Sequence, residues 1–143
     1  MSCGLTETIS IETNKSLASE WEGQLLKLSM RKRLIQKYSS NEITQIHAKY
    51  APQKEEIKNK IDSLDDKSVT SEYQELLGEL RELDNMENDE VKAAEEKASQ
   101  AEEDIQLEQD ALESRLEALK KDTESMEEMR KANVEDSFNY FQT

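Results

Sequence analysis

The sequence predicts an all-α protein: a long antiparallel helical hairpin or coiled coil with a kinked N-terminal helical arm. Three observations predict it. The chain contains only 3 glycines and 1 proline, so it has few of the residues that sheets and compact domains need at their turns. Its apolar residues recur in steps of three and four, as on one face of a helix. A basic stretch is followed by an acidic stretch, and a turn between them would place opposite charges side by side.

The composition predicts a thin hydrophobic seam rather than a thick core. Charged residues form 36% of the chain and hydrophobic residues 34%, whereas typical soluble domains have roughly 25% and 45–50%. Extended helices can pack with so little apolar material because each helix buries only one stripe. Disorder is the alternative for a chain this highly charged, and the apolar periodicity argues against it.

Residues 1–13 are predicted to be a flexible or extended leader, in which the alternation of Ile9 and Ile11 also fits a short strand. Residues 14–143 are predicted to form a single elongated helical hairpin domain. Ser16 is the expected N-cap of its first helix, since a serine side chain can accept a hydrogen bond from an unpaired backbone N–H there.

The N-terminal arm is expected to be interrupted at two places. The polar residues 39–41 disturb the apolar phase, which indicates a break or a skip in the helix. Pro52 lies inside the helical pattern, where proline removes a hydrogen bond and costs about 3 kcal/mol. Because the apolar phase continues across Pro52, we expect a kink or a local restart there.

The turn of the hairpin is predicted near residues 65–70. Aspartate and serine cluster around this stretch, and Ser71 with Gln74 forms a capping box that would begin the second helix. From Val69 to Phe141 the apolar residues follow one helical face, which predicts one helix of about 70 residues. Its weakest point is the polar stretch 84–89.

Charge supports the same hairpin. Basic residues outnumber acidic residues between positions 27 and 60, and acidic residues outnumber basic ones between positions 74 and 107. Folding the chain back near residue 67 would place these stretches side by side and antiparallel. Each exposed ion pair contributes about 0–1 kcal/mol, so we expect the pairs to set orientation and register more than stability.

A narrow seam is predicted along the second helix. The seam residues are Ala94, Ala98, Ala101, Ile105, Leu112, Leu119 and Met126. The alanines allow helices to approach closely, but they bury little area at ~25 cal/mol per Å². This segment is therefore expected to need neighbours on more than one side.

A subunit-docking element is predicted near the end of the chain. It consists of Val134, Phe138, Tyr140 and Phe141. If the chain turns near residue 67, the first helix is too short to cover the whole apolar stripe of residues 112–141. Burial of one such side chain contributes roughly 1.5–3 kcal/mol, so we expect a neighbouring subunit to cover it. The alternative is that Phe138 and Phe141 close the chain's own seam.

No motif predicts catalysis, a cofactor or a metal site. His47 is the only histidine, and a histidine-based metal site needs several converging ligands. The stretch 84–90 has Met86 at a ligand position of a calcium loop and lacks the required glycine. The Ser-x-x-Lys pattern at 29–32 lacks the partner motifs of the serine-lysine enzymes. We therefore predict a protein that is not an enzyme and binds no cofactor.

A basic amphipathic patch is formed by Arg31, Lys32, Arg33 and Lys37. Such patches contact membrane surfaces or nucleic acid; the alternative, which we favour, is pairing with acidic residues of the same chain or of a neighbour. Because the net charge is −14, we expect no nucleic-acid partner. No run of residues approaches the length of a membrane span.

Together these features predict a non-catalytic, self-assembling helical structural subunit of a filament or other multi-subunit assembly. Its expected partners are copies of itself and other assembly proteins. In outline the hairpin resembles needle and filament subunits of type III-like secretion systems, and also viral scaffolding and virion structural proteins. The alternative is a soluble coiled-coil chaperone or export adaptor that binds one partner through residues 112–141.

The N-terminal residues lack the basic and apolar regions of a secretory signal. We therefore expect synthesis in the cytoplasm, followed either by retention there, by export without a cleaved signal, or by association with a virion. Cys3 is the only cysteine, so no disulfide can form within the chain.

Overall fold

The computed structural model describes residues 2–65 and 71–142. These residues form two helices and no strand: α1 is Ser2–Asp62, with 61 residues, and α2 is Ser71–Gln142, with 72 residues. The chain is an all-α helical hairpin, so the predicted fold class is confirmed. Side chains are described for residues 6, 8–65, 71–136 and 138.

The beginning of α1 corrects the predicted leader. Residues 2–13 are helical rather than extended, and Ser16 therefore lies inside the helix instead of capping it. Ile11 is only 2% exposed, whereas Ile9 is 58% exposed. Two residues turn a helix by about 200°, so the alternation that suggested a strand places one isoleucine in the seam and the other on the outside. The hydroxyl of Thr13 donates to the carbonyl of Ile9 at 2.8 Å, a common contact inside helices.

Helix α1 also continues through both predicted interruptions. The break at 39–41 is wrong, because these polar residues keep helical geometry and the carbonyl of Ser40 accepts a hydrogen bond from Thr44 Oγ1 at 2.9 Å. Pro52 and Ala48 are exposed, so water can reach the carbonyl that loses its helical partner to proline. A bend at Pro52 stays a prediction.

Helix α2 is continuous, which confirms a single second helix and rules out a break at 84–89. It begins at Ser71, where the capping box predicts a start. Two backbone hydrogen bonds follow the end of α1. The N–H of Ser63 donates to the carbonyl of Asn59 and the N–H of Leu64 donates to the carbonyl of Ile61, both at 3.1 Å. The predicted turn at 65–70 follows directly, and its residues 66–70 lie outside the described residues.

Packing divides the hairpin into two units, each containing part of α1 and part of α2. Unit 1 consists of Met1–Arg31 and Asp104–Thr143, and unit 2 consists of Lys32–Glu103. Within each unit the two helices run antiparallel: residues that come earlier in α1 contact residues that come later in α2. The contacts that show this are Ser29 with Gln109 and Asn14 with Asp122 in unit 1, and Lys54 with Asp84 and Lys49 with Glu90 in unit 2. The single domain predicted over residues 14–143 stays a prediction.

The core of each unit is a thin seam. The buried apolar residues of unit 1 are Ile11, Leu28, Ile105 and Leu116, and those of unit 2 are Tyr50, Ile57, Leu76 and Ala94. Tyr50 and Ile11 are the largest fully buried side chains, at 2% exposure each. These two side chains mark the positions where each unit is expected to be most sensitive to truncation.

Candidate functional site

The predicted seam residues of α2 are all shielded from solvent, but to different degrees. Ala94 and Ile105 are buried, at 5% and 6% exposure. The other predicted members, which are Ala98, Ala101, Leu112, Leu119 and Met126, are half-buried. In unit 2, Ala98 and Ala101 form a shallow groove with Ile35 and Tyr38 of α1, and the polar residues Ser39, Glu42 and Lys97 also line it. The small side chains therefore leave room beside the seam, and a neighbour that fills it stays a prediction.

Unit 2 contains a carboxylate in its seam. Glu87 is 8% exposed, and its Oε1 accepts a hydrogen bond from His47 Nδ1 at 2.7 Å. Its Oε2 has no hydrogen bond of good geometry, but the ammonium of Lys54 pairs with it through charge at 2.8 Å. Lys54 also donates to Asp84 Oδ1 at 3.0 Å. An ionised carboxylate only accepts hydrogen bonds, so Nδ1 of His47 carries the proton in this contact.

These contacts favour the charged forms of the groups involved. The close ammonium of Lys54, followed by the hydrogen bond from His47, lowers the pKa of Glu87. The carboxylates of Glu87 and then Asp84 raise the pKa of Lys54. A shift of either helix by one residue would leave a carboxylate in the seam without its partners, which is strongly unfavourable. The cluster therefore fixes the register of α1 against α2 in unit 2.

A second ion pair lies next to this cluster. Lys49 donates to Glu90 Oε1 at 3.1 Å, and the same carboxylate raises the pKa of Lys49. The ammonium of Lys49 also lies 5.1 Å from the centre of the Tyr50 ring, within the range of a cation–π contact. The predicted pairing of the basic stretch with the acidic stretch is thus confirmed where residues 47–54 face residues 84–90.

Sequence reasoning considered His47 only as a metal ligand and did not single out Glu87. A signal for Glu87 was present in the spacing. It follows Leu83 by four residues and precedes Ala94 by seven, so it occupies a seam position. A charged residue at such a position, opposite a basic stretch, predicts an ion pair across the seam.

The end of α2 presents an apolar face on the outside of unit 1. Val134 is 59% exposed and Phe138 is 62% exposed, whereas Arg130 and Asn133 continue the half-buried side of the helix. Val134 follows Met126 by eight residues, and Phe138 follows Val134 by four. Over these two steps the helix turns about 120° beyond whole turns, so Phe138 no longer lies on the face of Met126. The expectation that Val134 and Phe138 share the seam face is therefore wrong. We call Val134 and Phe138 the α2 apolar pair; the side chains of Tyr140 and Phe141 lie outside the described residues.

Acidic side chains outnumber basic ones in the segment that carries the α2 apolar pair. Glu124, Glu128, Glu135 and Asp136 are exposed and make no ion pair with any residue that the structure describes. Glu127 differs, because it pairs with Lys15 at 3.4 Å. Arg130 and Lys131, which lie four and three residues before Val134, are bases in the same segment and reduce its negative charge without reversing it. The pair is thus an apolar patch on a segment of net negative charge.

The basic patch is only partly satisfied by its own chain. Arg31, in unit 1, is exposed, and Lys32 is half-buried with a contact of its own. In unit 2, Arg33 and Lys37 are exposed and form no ion pair with the described residues. Pairing with the acidic stretch of the same chain is therefore wrong for these two, because they project away from α2; pairing with a neighbour stays a prediction.

Two large apolar side chains accompany these bases, and sequence reasoning did not name either as part of the basic patch. Leu34 is 47% exposed and Tyr38 is 66% exposed. Both follow a basic residue directly and lie one turn apart, which is the signal that was available. We call Arg33, Leu34, Lys37 and Tyr38 the α1 basic apolar face.

Other kinds of site receive no support from the described residues. No three histidine, cysteine, aspartate or glutamate side chains among them are placed to hold a metal ion. Within residues 2–62 and 71–142, neither helix has an apolar stretch long enough to cross a membrane. No protein-family model, curated protein or solved structure matches this chain.

Proposed function

We propose that this protein is a non-catalytic structural subunit that assembles with copies of itself through the end of α2, in a filament or another multi-subunit assembly. The observation that carries this proposal is the exposure of the α2 apolar pair, 59% at Val134 and 62% at Phe138. The two side chains lie one turn apart and form a contiguous patch. Burial of each against a neighbour contributes roughly 1.5–3 kcal/mol, so the patch is suited to protein contact.

The distribution of apolar side chains supports assembly in the same way. Among the described residues, large apolar side chains that are mostly exposed outnumber those that are fully buried. A chain that leaves so much apolar surface uncovered is stabilised by association, because its own seam is too narrow to cover that surface. The half-buried alanines of unit 2 are consistent with further neighbours at that position.

The α2 apolar pair would also serve an adaptor that binds one partner of a different sequence. Particle size separates the two functions. A self-assembling subunit forms large species whose size increases with concentration when the purified protein is alone. An adaptor stays monomeric or dimeric until its partner is added. Size-exclusion chromatography with light scattering over a range of concentrations measures this difference.

The matched pair of variants is Val134→Ser/Phe138→Ser and Leu107→Ser/Met129→Ser. Leu107 and Met129 are 65% and 55% exposed, and they lie on the other side of α2 in the same unit. Replacing them with serine therefore removes a similar apolar area from a different part of the surface. We expect the first variant to lose the large species and the second to keep them, with equal helical content by circular dichroism. A wild-type protein that stays monomeric at high concentration, or a first variant that assembles normally, overturns the proposal.

A further inference from the structure

We infer that the surface that receives the α2 apolar pair is the α1 basic apolar face of a second copy. This inference rests on the proposed function and adds the identity of the receiving surface. Phe138 and Val134 of one copy would pack against Tyr38 and Leu34 of the next. The contact is heterologous: two different surfaces of the same chain meet.

The two surfaces match in size and spacing. Each carries one aliphatic and one aromatic residue a single turn apart, Val134 with Phe138 and Leu34 with Tyr38. Ridges formed by residues four apart on one helix pack into the grooves of another helix. Offset or edge-to-face packing of the two aromatic rings adds to the apolar contact.

The two surfaces are complementary in charge. Arg33 and Lys37 find no acidic partner among the described residues of their own chain, and Glu128 and Glu135 find no basic partner there. A contact between two α2 apolar pairs would bring together two segments of net negative charge, and a contact between two α1 basic apolar faces would bring bases together. Both like-with-like contacts are therefore disfavoured, and the unlike contact pairs the charges that each chain leaves over.

A groove distinguishes the α1 basic apolar face from a similar surface in unit 1. Leu26 and Met30 are also exposed one turn apart, at 64% and 56%, and are also accompanied by bases. They include no aromatic ring. Tyr38 borders the shallow groove of Ile35, Ala98 and Ala101 in unit 2. That groove leaves room for the ring of Phe138 from a second copy.

Because every copy carries both surfaces, each bound copy offers an unused surface to the next one. A heterologous contact of this kind generates a ring when the rotation closes and a helical filament when it does not. Two variants, each lacking one surface, follow from this geometry. The first is Val134→Ser/Phe138→Ser and the second is Leu34→Ser/Tyr38→Ser.

The test uses these variants separately and as an equimolar mixture, at concentrations where the wild type assembles. Each variant alone is expected to need at least about tenfold more protein to form large species, the equivalent of 1.4 kcal/mol. In the mixture, one variant keeps the α1 basic apolar face and the other keeps the α2 apolar pair. One copy of each can therefore bind, and the mixture is expected to form a discrete 1:1 complex and nothing larger. Light scattering measures the mass, and circular dichroism checks that each variant keeps its helices.

A charge exchange sharpens the same test. Arg33→Glu/Lys37→Glu is expected to raise the assembly concentration at least about tenfold, and adding Glu128→Lys/Glu135→Lys to the same chain is expected to restore assembly. The control Leu26→Ser/Met30→Ser is expected to assemble as the wild type does.

Each other outcome is decisive. If Leu34→Ser/Tyr38→Ser assembles normally while Val134→Ser/Phe138→Ser does not, the receiving surface is elsewhere and the proposed function stands. If both variants fail alone and their mixture forms no complex, the two surfaces do not meet. If the wild type itself never assembles, the proposed function fails together with this inference.

Discussion

In unit 2 the ion pairs between α1 and α2 are 2.8–3.1 Å long and include the seam residue Glu87. In unit 1 the corresponding pairs are longer and lie at the surface, Lys15 with Glu127 at 3.4 Å and Lys120 with Glu22 at 3.7 Å. Exposed pairs of this kind contribute about 0–1 kcal/mol. Ion pairs therefore define the register of unit 2 more strongly than that of unit 1.

The apolar surfaces differ in the opposite direction. The most exposed large apolar residues of unit 1 are Ile9, Leu26, Met30, Leu107, Met129, Val134 and Phe138, while those of unit 2 are Leu34, Tyr38 and Met86. Unit 1 thus leaves more apolar material uncovered by its own chain. Ion pairs thus specify unit 2 more strongly, and unit 1 exposes more of the large apolar side chains that the structure describes.

The largest expected effect is the loss of a ring from the seam of unit 2. Tyr50→Ala removes a side chain that is 2% exposed, and we expect the free energy of unfolding to fall by about 3–5 kcal/mol, as for other large aromatic truncations. Tyr38→Ala removes the same atoms from the surface of the same unit and is expected to cost within about 0.5 kcal/mol. Urea denaturation followed by circular dichroism, at concentrations below assembly, compares the two; equal losses would contradict the packing described for unit 2.

A similar pair of variants tests the seam of unit 1 at its beginning. Ile11→Ala is expected to destabilise the protein by about 2–5 kcal/mol, because it leaves a cavity beside α2. Ile9→Ala, two residues earlier and on the outside of the helix, is expected to change the free energy of unfolding by about 0.5 kcal/mol or less. Urea midpoints distinguish a packed N-terminal part of α1 from an extended leader, for which both substitutions would be nearly neutral.

The periodicity of the sequence was sufficient to predict the helices and much of the seam. Ala94 and Ile105 were predicted from spacing alone and are buried, because apolar residues three and four apart must share a helical face. The single α2 followed from the same pattern. The continuous α1 did not, because local signals such as Pro52 and the alternation of Ile9 and Ile11 are weaker than tertiary packing along a long seam.

The outer surfaces were less predictable for a geometric reason. Steps of three and four residues keep a side chain in the seam only when they alternate, and repeated steps of four rotate it outward by about 40° each. Val134 and Phe138 therefore left the seam while their spacing still looked helical. The pairing of Glu87 with both His47 and Lys54 required the register of two helices, which one sequence read along its length does not contain.

Truncation after Ala132 tests the surface of unit 1 without disturbing its buried residues. We expect the large species to disappear, because both members of the α2 apolar pair are removed. The helical signal per residue should stay nearly unchanged, since Ile11, Leu28 and Leu116 keep their contacts. Light scattering and circular dichroism measure the two properties on the same sample. Normal assembly of the shortened chain would show that unit 1 uses another surface.

The smallest expected effect concerns the ionised cluster of unit 2. The lowered pKa of Glu87 means that its charge stabilises the fold above its unfolded value of about 4.3, and that this stabilisation is lost as the pH falls through the lower folded value. The raised pKa of Lys54 means that its contribution is complete below its unfolded value of about 10.4 and is lost as the pH rises through the higher folded value. The cluster is thus fully effective between these limits.

Glu87→Gln removes the charge while keeping the shape of the side chain. We expect it to be less stable than the wild type at neutral pH, and we expect the difference to shrink as the pH falls through the folded pKa of Glu87, because the wild-type carboxyl then also becomes neutral. The matched control is Glu128→Gln, which removes an exposed charge without a described ion pair and should differ little from the wild type at either pH. Urea midpoints measured from pH 7 down to about pH 3 show how the stability difference between Glu87→Gln and the wild type changes with pH. A difference between Glu87→Gln and the wild type that persists unchanged at the acid end would mean that the amide disturbs packing rather than charge, and that unit 2 does not depend on this cluster for its register.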